Sequence, residues 1–265
     1  MIAPGSLEGV TVLDLSRLLP GGFCSLLFAD AGADVIKVED TGMGDYIRWA
    51  PPLYGDDSKQ ALGTRSSLYL SLNRGKRSIR LDLKSDGGRE ALLRLVRDAD
   101  VVLESFRPGV LDRLGVGYET LKAQNPRIIY CAITGYGLTG PNVSRAGHDT
   151  NYLALGGLLG LTGEADGAPV SAAGQIADLG GGGLMAAWSI LAALWERERS
   201  GEGQLVDVSM TDGAQSWLAM VAAAYLADGN VPKRGSETLN GGFACYRPYE
   251  CADGWVSVGA LEPKF

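Results

Sequence analysis

Residues 10–39 read VTVLDLSRLLPGGFCSLLFADAGADVIKVE, and the fold follows from their spacing. Residues 10–15 are a short apolar run with β-branched side chains, the pattern of a strand buried on both faces of a parallel sheet. Pro20, Gly21 and Gly22 break that run. Residues 23–31 then carry apolar side chains at helical spacing, and Gly32 is placed to stop the helix. Residues 34–39, DVIKVE, make a second strand. Strand, turn, helix, strand is a βαβ unit, and the right-handed crossover makes its two strands parallel.

The same reading extends outward. Residues 40–67 are loop-rich in Gly, Pro and Asp. Further strands are expected at 79–83, 101–104, 127–133 and 205–210, and helices at 87–96, 108–114, 118–124, 148–161, 178–199 and 211–228. After Gly229 the texture changes, and 243–250 and 255–259 predict two strands joined at Asp253 and Gly254. The expected class is therefore α/β. An open, largely parallel sheet flanked by helices forms a Rossmann-like large domain over 1–228, and 229–265 begins a smaller α+β domain. The sequence stops a few residues after an apparent core strand, which reads as a fragment or half of a split gene.

Composition narrows the function classes. The 265 residues are 46% hydrophobic and 21% charged, with formal net charge −7, an ordinary globular balance that argues against nucleic acid as partner. Cys24, Cys131, Cys245 and Cys251 are too widely spaced for a metal pattern and read as buried free thiols of a reducing compartment. With His148 the one histidine, no metal site is expected. Residues 1–8 lack a basic, apolar leader. The longest apolar stretches, 183–195 and 214–227, fall short of the roughly 18–20 residues that span a bilayer. The expectation is a cytoplasmic protein without a membrane segment.

Four features carry candidate chemistry. The opening unit, ending in acidic Glu39, has the outline of a dinucleotide site, but the G-x-G-x-x-G fingerprint is absent. The run from Asn73 to Lys84 holds five cations, Arg74, Lys76, Arg77, Arg80 and Lys84. They suit either a phosphorylated ligand or a solvated turn paired with carboxylates. His148 opens an apolar helical pattern, where free backbone N–H groups gather and an imidazole can shuttle protons near neutrality. The plainer alternative is a structural histidine satisfied by a carbonyl. Asp178 precedes four glycines and a long apolar helix. It could be an N-cap, but four glycines exceed what a cap needs and suggest backbone brought close to a bulky ligand.

At these residues the sequence resembles the family III CoA transferases, closest to their α-methylacyl-CoA racemase branch. The stretches FADAGADVIKVE, NRGKRSIRLDLK, ESFRPGVLDRLGVG, AGHDTNYLALGGLLG, ADLGGGGLMAA and VGALEPKF carry the likeness from about Leu7 to the last residue. The resemblance implies that Asp178 is the catalytic aspartate, His148 the second acid/base of racemases, and Glu262 the glutamate supporting that histidine. It implies that Leu81, Asp82, Leu83 and Lys84 form a CoA-contacting strand. Leu18, Ser105, Phe106, Arg107, Arg113, Arg145 and Gly147 fall at further CoA-contacting positions. A coenzyme A thioester is then the substrate, with no tightly bound cofactor, in an interlinked homodimer whose chains continue well past this point. One departure is Asp40-Thr41 where the family usually has Arg-Pro. Lys37 is the basic residue nearest to compensate.

Two chemistries remain. Inverting the carbon α to a thioester needs two acid/base groups on opposite faces and donors for the enolate oxygen. His148 and Asp178 supply the first, and the backbone N–H of Asp149 is a candidate for the second. CoA transfer needs a carboxylate nucleophile and no histidine. The pairing of His148 with Asp178 favours the racemase, with transfer to a free acid, or a CoA-binding fragment without turnover, as alternatives.

Overall fold

The computed structural model describes residues 5–54 and 66–264. Six parallel strands form one sheet: β1 (Thr11–Asp14), β2 (Asp34–Glu39), β3 (Arg77–Arg80), β4 (Val101–Glu104), β5 (Ile129–Thr134) and β6 (Leu205–Ser209). Their order is β3-β2-β1-β4-β5-β6. The α/β class and the parallel sheet expected from residues 10–39 are what the structure has. Every residue of β4 and β5 is buried, because helices cover both faces. On one face pack α1 (Leu18–Asp30) and α8 (Met185–Ser200), bringing Cys24, Phe28 and Ile190 onto Val12, Leu103 and Ile129. On the other, α3 (Asp86–Val96) and α5 (Tyr118–Gln124) bring Leu92, Val96 and Leu121 onto Leu13 and Val102. The strand order reverses between β1 and β4, so a crevice opens at their carboxyl ends, the usual ligand position of this architecture.

The start of α1 differs from expectation. The helix begins at Leu18 and runs through Pro20, Gly21 and Gly22. Proline in a first helical turn sacrifices no hydrogen bond. A Cβ on Gly21 would overlap the Ser16 side chain, so this glycine serves a close packing contact and not a break. Gly32, at φ +96, does end the unit.

The glycines after Asp178 also have a structural use. Residues Ile176–Leu184 form a π-helical segment that continues into α8. A Cβ on Gly180 would strike the Trp217 ring, on Gly181 the backbone of Met210 and Ala214, and on Gly183 the Pro20 carbonyl. These glycines admit α1 and α9 (Met210–Ser216), not a ligand. The joined helix Ile176–Ser200 spans 25 residues, long and apolar enough by composition to cross a membrane, contrary to the shorter stretches read from sequence. It packs onto α1, β5 and β6, and 44% of its most apolar 18-residue window is buried.

Among the remaining elements, α2 (Ser67–Asn73) precedes β3, and a one-turn helix at Tyr46–Trp49 falls in the region expected to be loop. Residues 55–65 of that region lie outside the described residues. Helix α4 (Val110–Arg113) follows β4. Helices α6 (Asp149–Leu155) and α7 (Leu158–Leu161) follow β5, and α10 (Ala219–Asp228) follows α9. Strands β7 (Tyr246–Cys251) and β8 (Gly254–Gly259) pair as the expected antiparallel hairpin. It is exposed at nearly every position, so Cys245 and Cys251 are exposed thiols, and only Cys24 and Cys131 are buried as expected.

Candidate active site

The carboxyl ends of β1, β4, β5 and β6 border a cleft of about 750 Å³, a volume typical of small-ligand sites. Leu18 and Pro20 line it from the first turn of α1; Ser105, Phe106 and Arg107 from the turn after β4; Gly135 and Tyr136 from beyond β5. Arg145, Gly147, His148 and Asp149 come from the start of α6, and Asp178 from the first turn of the π-helical segment. Nine of the residues singled out in sequence thus face one space: Leu18, Ser105, Phe106, Arg107, Arg145, Gly147, His148, Asp149 and Asp178.

A smaller groove of about 190 Å³ is lined by Leu81, Asp82, Leu83 and Lys84, which lie just past the end of β3 and not within a strand. Arg17 and Phe106 border both spaces, with the guanidinium 5.5 Å from the ring centroid. Arg113 and Glu262 line neither; both are exposed, Arg113 on α4 and Glu262 beyond β8.

His148 stands immediately before α6, and its own N–H donates to Asn151 Oδ1 at 3.0 Å. The Tyr152 hydroxyl donates to the Gly147 carbonyl at 2.5 Å, and the Tyr136 and Tyr152 rings meet edge to face at 5.3 Å. A Cβ on Gly147 would run into both tyrosines, so only glycine fits between them and His148. Sequence reasoning gave Tyr136 and Tyr152 no role; their spacing from His148 held the signal, since Tyr152 returns to the cleft one helical turn later.

Asp178 is half-buried, and its N–H donates to Asp149 Oδ1 at 3.0 Å. Burial, and then the neighbouring Asp149 carboxylate, push the Asp178 carboxyl up to about 6, against the opposing pull of His148. Both candidate acid/base groups, His148 and Asp178, line the one cleft. Glu104, 4% exposed beneath the Ser105–Phe106 turn, is pushed by burial to about 7. This happens although it accepts the Phe106 N–H at 2.6 Å.

The groups around β2 settle two sequence alternatives. Both Glu39 oxygens are engaged: Arg48 Nε donates at 2.7 Å to one, and Ser78 donates at 2.8 Å to the other. Glu39 is thus not free to hold a ribose, which disposes of the dinucleotide reading. Lys37 is 1% exposed and bonded to Asp45 at 3.1 Å and the Ser16 carbonyl at 3.0 Å, so it does not compensate for the missing Arg-Pro. In the basic run, Arg74 pairs with Asp30 and Arg77 with Asp34. Lys76 is buried against Asp14, Ser25 and the Gly22 carbonyl, and Arg80 reaches the carbonyls of Asp40 and Gly42. Four of the five cations are structural, and Lys84 alone lines a groove.

The family model described as CoA-transferase family III matches residues 7–265, and the chain belongs to that family. It is 43% identical over 262 residues to the succinyl-CoA:mesaconate CoA-transferase of Haloarcula hispanica, covering 97% of this chain and 64% of that protein. It is 39% identical over 261 residues to human alpha-methylacyl-CoA racemase, covering 98% and 63%. A CAIB/BAIF family protein from Brucella suis has the same fold, with TM-score 0.86 and 40% identity over 96% of this chain and 65% of that one. The chain thus spans less than two thirds of the length of these relatives.

Proposed function

We propose that the protein is an acyl-CoA racemase or epimerase that inverts the α-carbon of 2-methylacyl-CoA thioesters. The observation that carries this reading is that two unlike acid/base groups, the His148 imidazole and an Asp178 carboxyl near 6, line one cleft at the switch point of the sheet. One removes the α-proton, the C–H electron pair becomes the enolate C=C bond as the carbonyl π pair moves onto the thioester oxygen, and the other returns a proton to the opposite face. The Asp149 N–H, first in α6 and without an intrahelical acceptor, is available to that oxygen. Ser105, Phe106, Arg107, Arg145 and Gly147 border the thioester's path, and residues 81–84 hold the far end of CoA in the smaller groove. The thioester is the substrate, and these steps call for no resident cofactor. Residues 1–228 act as the CoA-binding and catalytic domain, with 229–265 the start of a smaller one, in an interlinked homodimer. Glu262, which the resemblance pairs with His148, is exposed beyond β8 and lines neither space.

Incubation with a single-epimer 2-methylacyl-CoA in D₂O tests the reading: α-deuterium is expected in the product, and its absence ends the proposal. His148→Ala should cut exchange by at least about 10²-fold while CoA binding stays within a few-fold.

One observation favours a second reading, CoA transfer. Arg17, Arg107 and Arg145 line the cleft near Asp178, and guanidinium groups recognise carboxylates well. Relatives whose names include mesaconate agree with it. Transfer would leave a hydroxylamine-trappable acyl group on the protein that disappears in Asp178→Ala.

A further inference from the structure

Leu18, the first residue of α1, is the one non-glycine residue at positive φ among the described residues, at +61°. Strain of this kind persists only where the surroundings over-determine it, and it gathers at binding and catalytic sites. Here the surroundings are explicit. The Ser16 N–H donates to Asp14 at 2.9 Å and the Arg17 N–H to Ser105 Oγ at 3.0 Å. The Leu18 N–H lies 3.3 Å from both oxygens of Asp45. Asp45, 2% exposed, is fixed in turn by Lys37 at 3.1 Å. Lys37 also donates to the Ser16 carbonyl at 3.0 Å, closing a loop of contacts around the turn.

Asp45 serves a second segment as well. It accepts the Ile47 N–H at 3.1 Å and so starts the one-turn helix Tyr46–Trp49. Tyr46, Ile47 and Ala50 line the same cleft as Leu18. One buried carboxylate therefore sets two stretches of cleft wall, neither adjacent to it through the sheet.

We propose that Asp45, locked by Lys37, is a positioning residue. It holds Leu18 in its left-handed conformation so that the Leu18 side chain and the Tyr46–Trp49 turn form the wall against which the acyl end of the ligand packs. The proposal rests on the acyl-CoA reading. It makes Leu18 a determinant of which acyl group fits, in a cleft whose polar residues lie elsewhere.

Three variants test it: Leu18→Gly, Leu18→Ala and Asp45→Asn. Each is measured for thermal unfolding and for binding of CoA and of 2-methylacyl-CoA. Glycine takes φ +61 without strain, so Leu18→Gly should unfold at a higher temperature than Leu18→Ala. Both should lose at least 10-fold of the parent's preference for the 2-methylacyl thioester over CoA itself. Asp45→Asn should show the same selective loss, and combining it with Leu18→Gly should add little. Should Asp45→Asn fail to fold, the Leu18 pair still decides. Equal melting temperatures for the two variants, or the parent's preference for the acyl thioester in both, overturn the proposal. A parent protein that binds neither CoA nor its thioester overturns the acyl-CoA reading, and Leu18's role as a ligand wall falls with it. Selective loss in Leu18→Ala with an unaffected Asp45→Asn overturns the assignment to Asp45 alone.

Discussion

The two walls of the cleft treat buried carboxyl groups in opposite ways. On the β1–β2 side, Asp14 and Asp45 are sealed from solvent and face Lys37, and Glu39 faces Arg48. Burial alone would raise the affinity of Asp14 and Glu39 for protons, yet Lys37 and Lys76 hold Asp14 below the usual carboxylate range, and Arg48, with the Asp45 N–H and the Ser78 hydroxyl, brings Glu39 to about 2. On the side of β4, α6 and the π-helical segment, burial meets no strong ion pair, and Glu104 and Asp178 rise to about 7 and 6. Burial therefore does not decide protonation; the partner does. The first wall is a scaffold with fixed charges. The second keeps a proton exchangeable near neutral pH, which acid/base chemistry needs.

The largest expected effect comes from unpairing the scaffold. Lys37→Met leaves Asp14 and Asp45 as buried charges without their shared cation, and losing one partner of a buried pair costs about 3–5 kcal/mol. Urea unfolding measures it. A loss below about 1 kcal/mol would mean the lysine is a bystander and the contrast between the walls is false.

Next is the pH dependence of turnover. If Asp178 acts as base, α-proton exchange should fall on the acid side with a midpoint near 6, because protonation removes the base. Asp149→Asn keeps an oxygen to accept the Asp178 N–H but removes the second largest cause of its raised value. The acid limb should then move to lower pH. A profile that stays put would place the titrating group elsewhere in the cleft.

These contrasts also explain what was legible in the sequence. Residues 10–39 disclosed the sheet because strand periodicity and glycine punctuation are local properties. Residues 101–104 and 118–124 were read to the residue for the same reason. Seven of the nine cleft residues lie in three of the quoted motif stretches, 104–117, 146–160 and 177–187, which the fold brings to one space; Leu18 and Arg145 lie outside those stretches. What could not be read was partnership across sequence distance. Lys37 looked like a spare cation until Asp45 and Asp14 were seen around it, and Glu39 resembled a ribose ligand until Arg48 occupied it. The glycines after Asp178 suggested a ligand because Trp217 and Pro20, their actual neighbours, are far away in sequence. Glu262 and the exposed Cys245 and Cys251 depend on how the hairpin is covered, which strand periodicity does not report.

A smaller effect, of opposite sign on the two walls, should appear in stability against pH. Glu39, whose folded value is lowered, contributes stability that is present above its unfolded value and is lost as pH falls toward about 2. Glu104, whose folded value is raised, contributes most below its unfolded value of about 4.5, and that contribution is lost as pH rises through about 7. Glu104→Gln should therefore flatten the decline between pH 5 and 8 and leave the acid limb alone. A decline unchanged by this substitution would mean that Glu104 is already ionised at its site.

The smallest effect tests whether the scaffold's strength lies in burial or merely in the presence of ion pairs. Arg94 and Glu90 on α3 pair at 2.7 Å, closer than Lys37 to Asp45, but both side chains are about two thirds exposed, at 65% and 67%. Water and side-chain entropy offset most of such a contact, so Glu90→Gln should cost only about 0.3–0.5 kcal/mol. High salt should erase that small difference while leaving the Lys37→Met deficit intact, because counterions screen exposed charges and do not reach buried ones. Equal salt sensitivity in the two variants would show that solvent enters the β1–β2 wall, and the division between a fixed and a titratable side of the cleft would have to be redrawn.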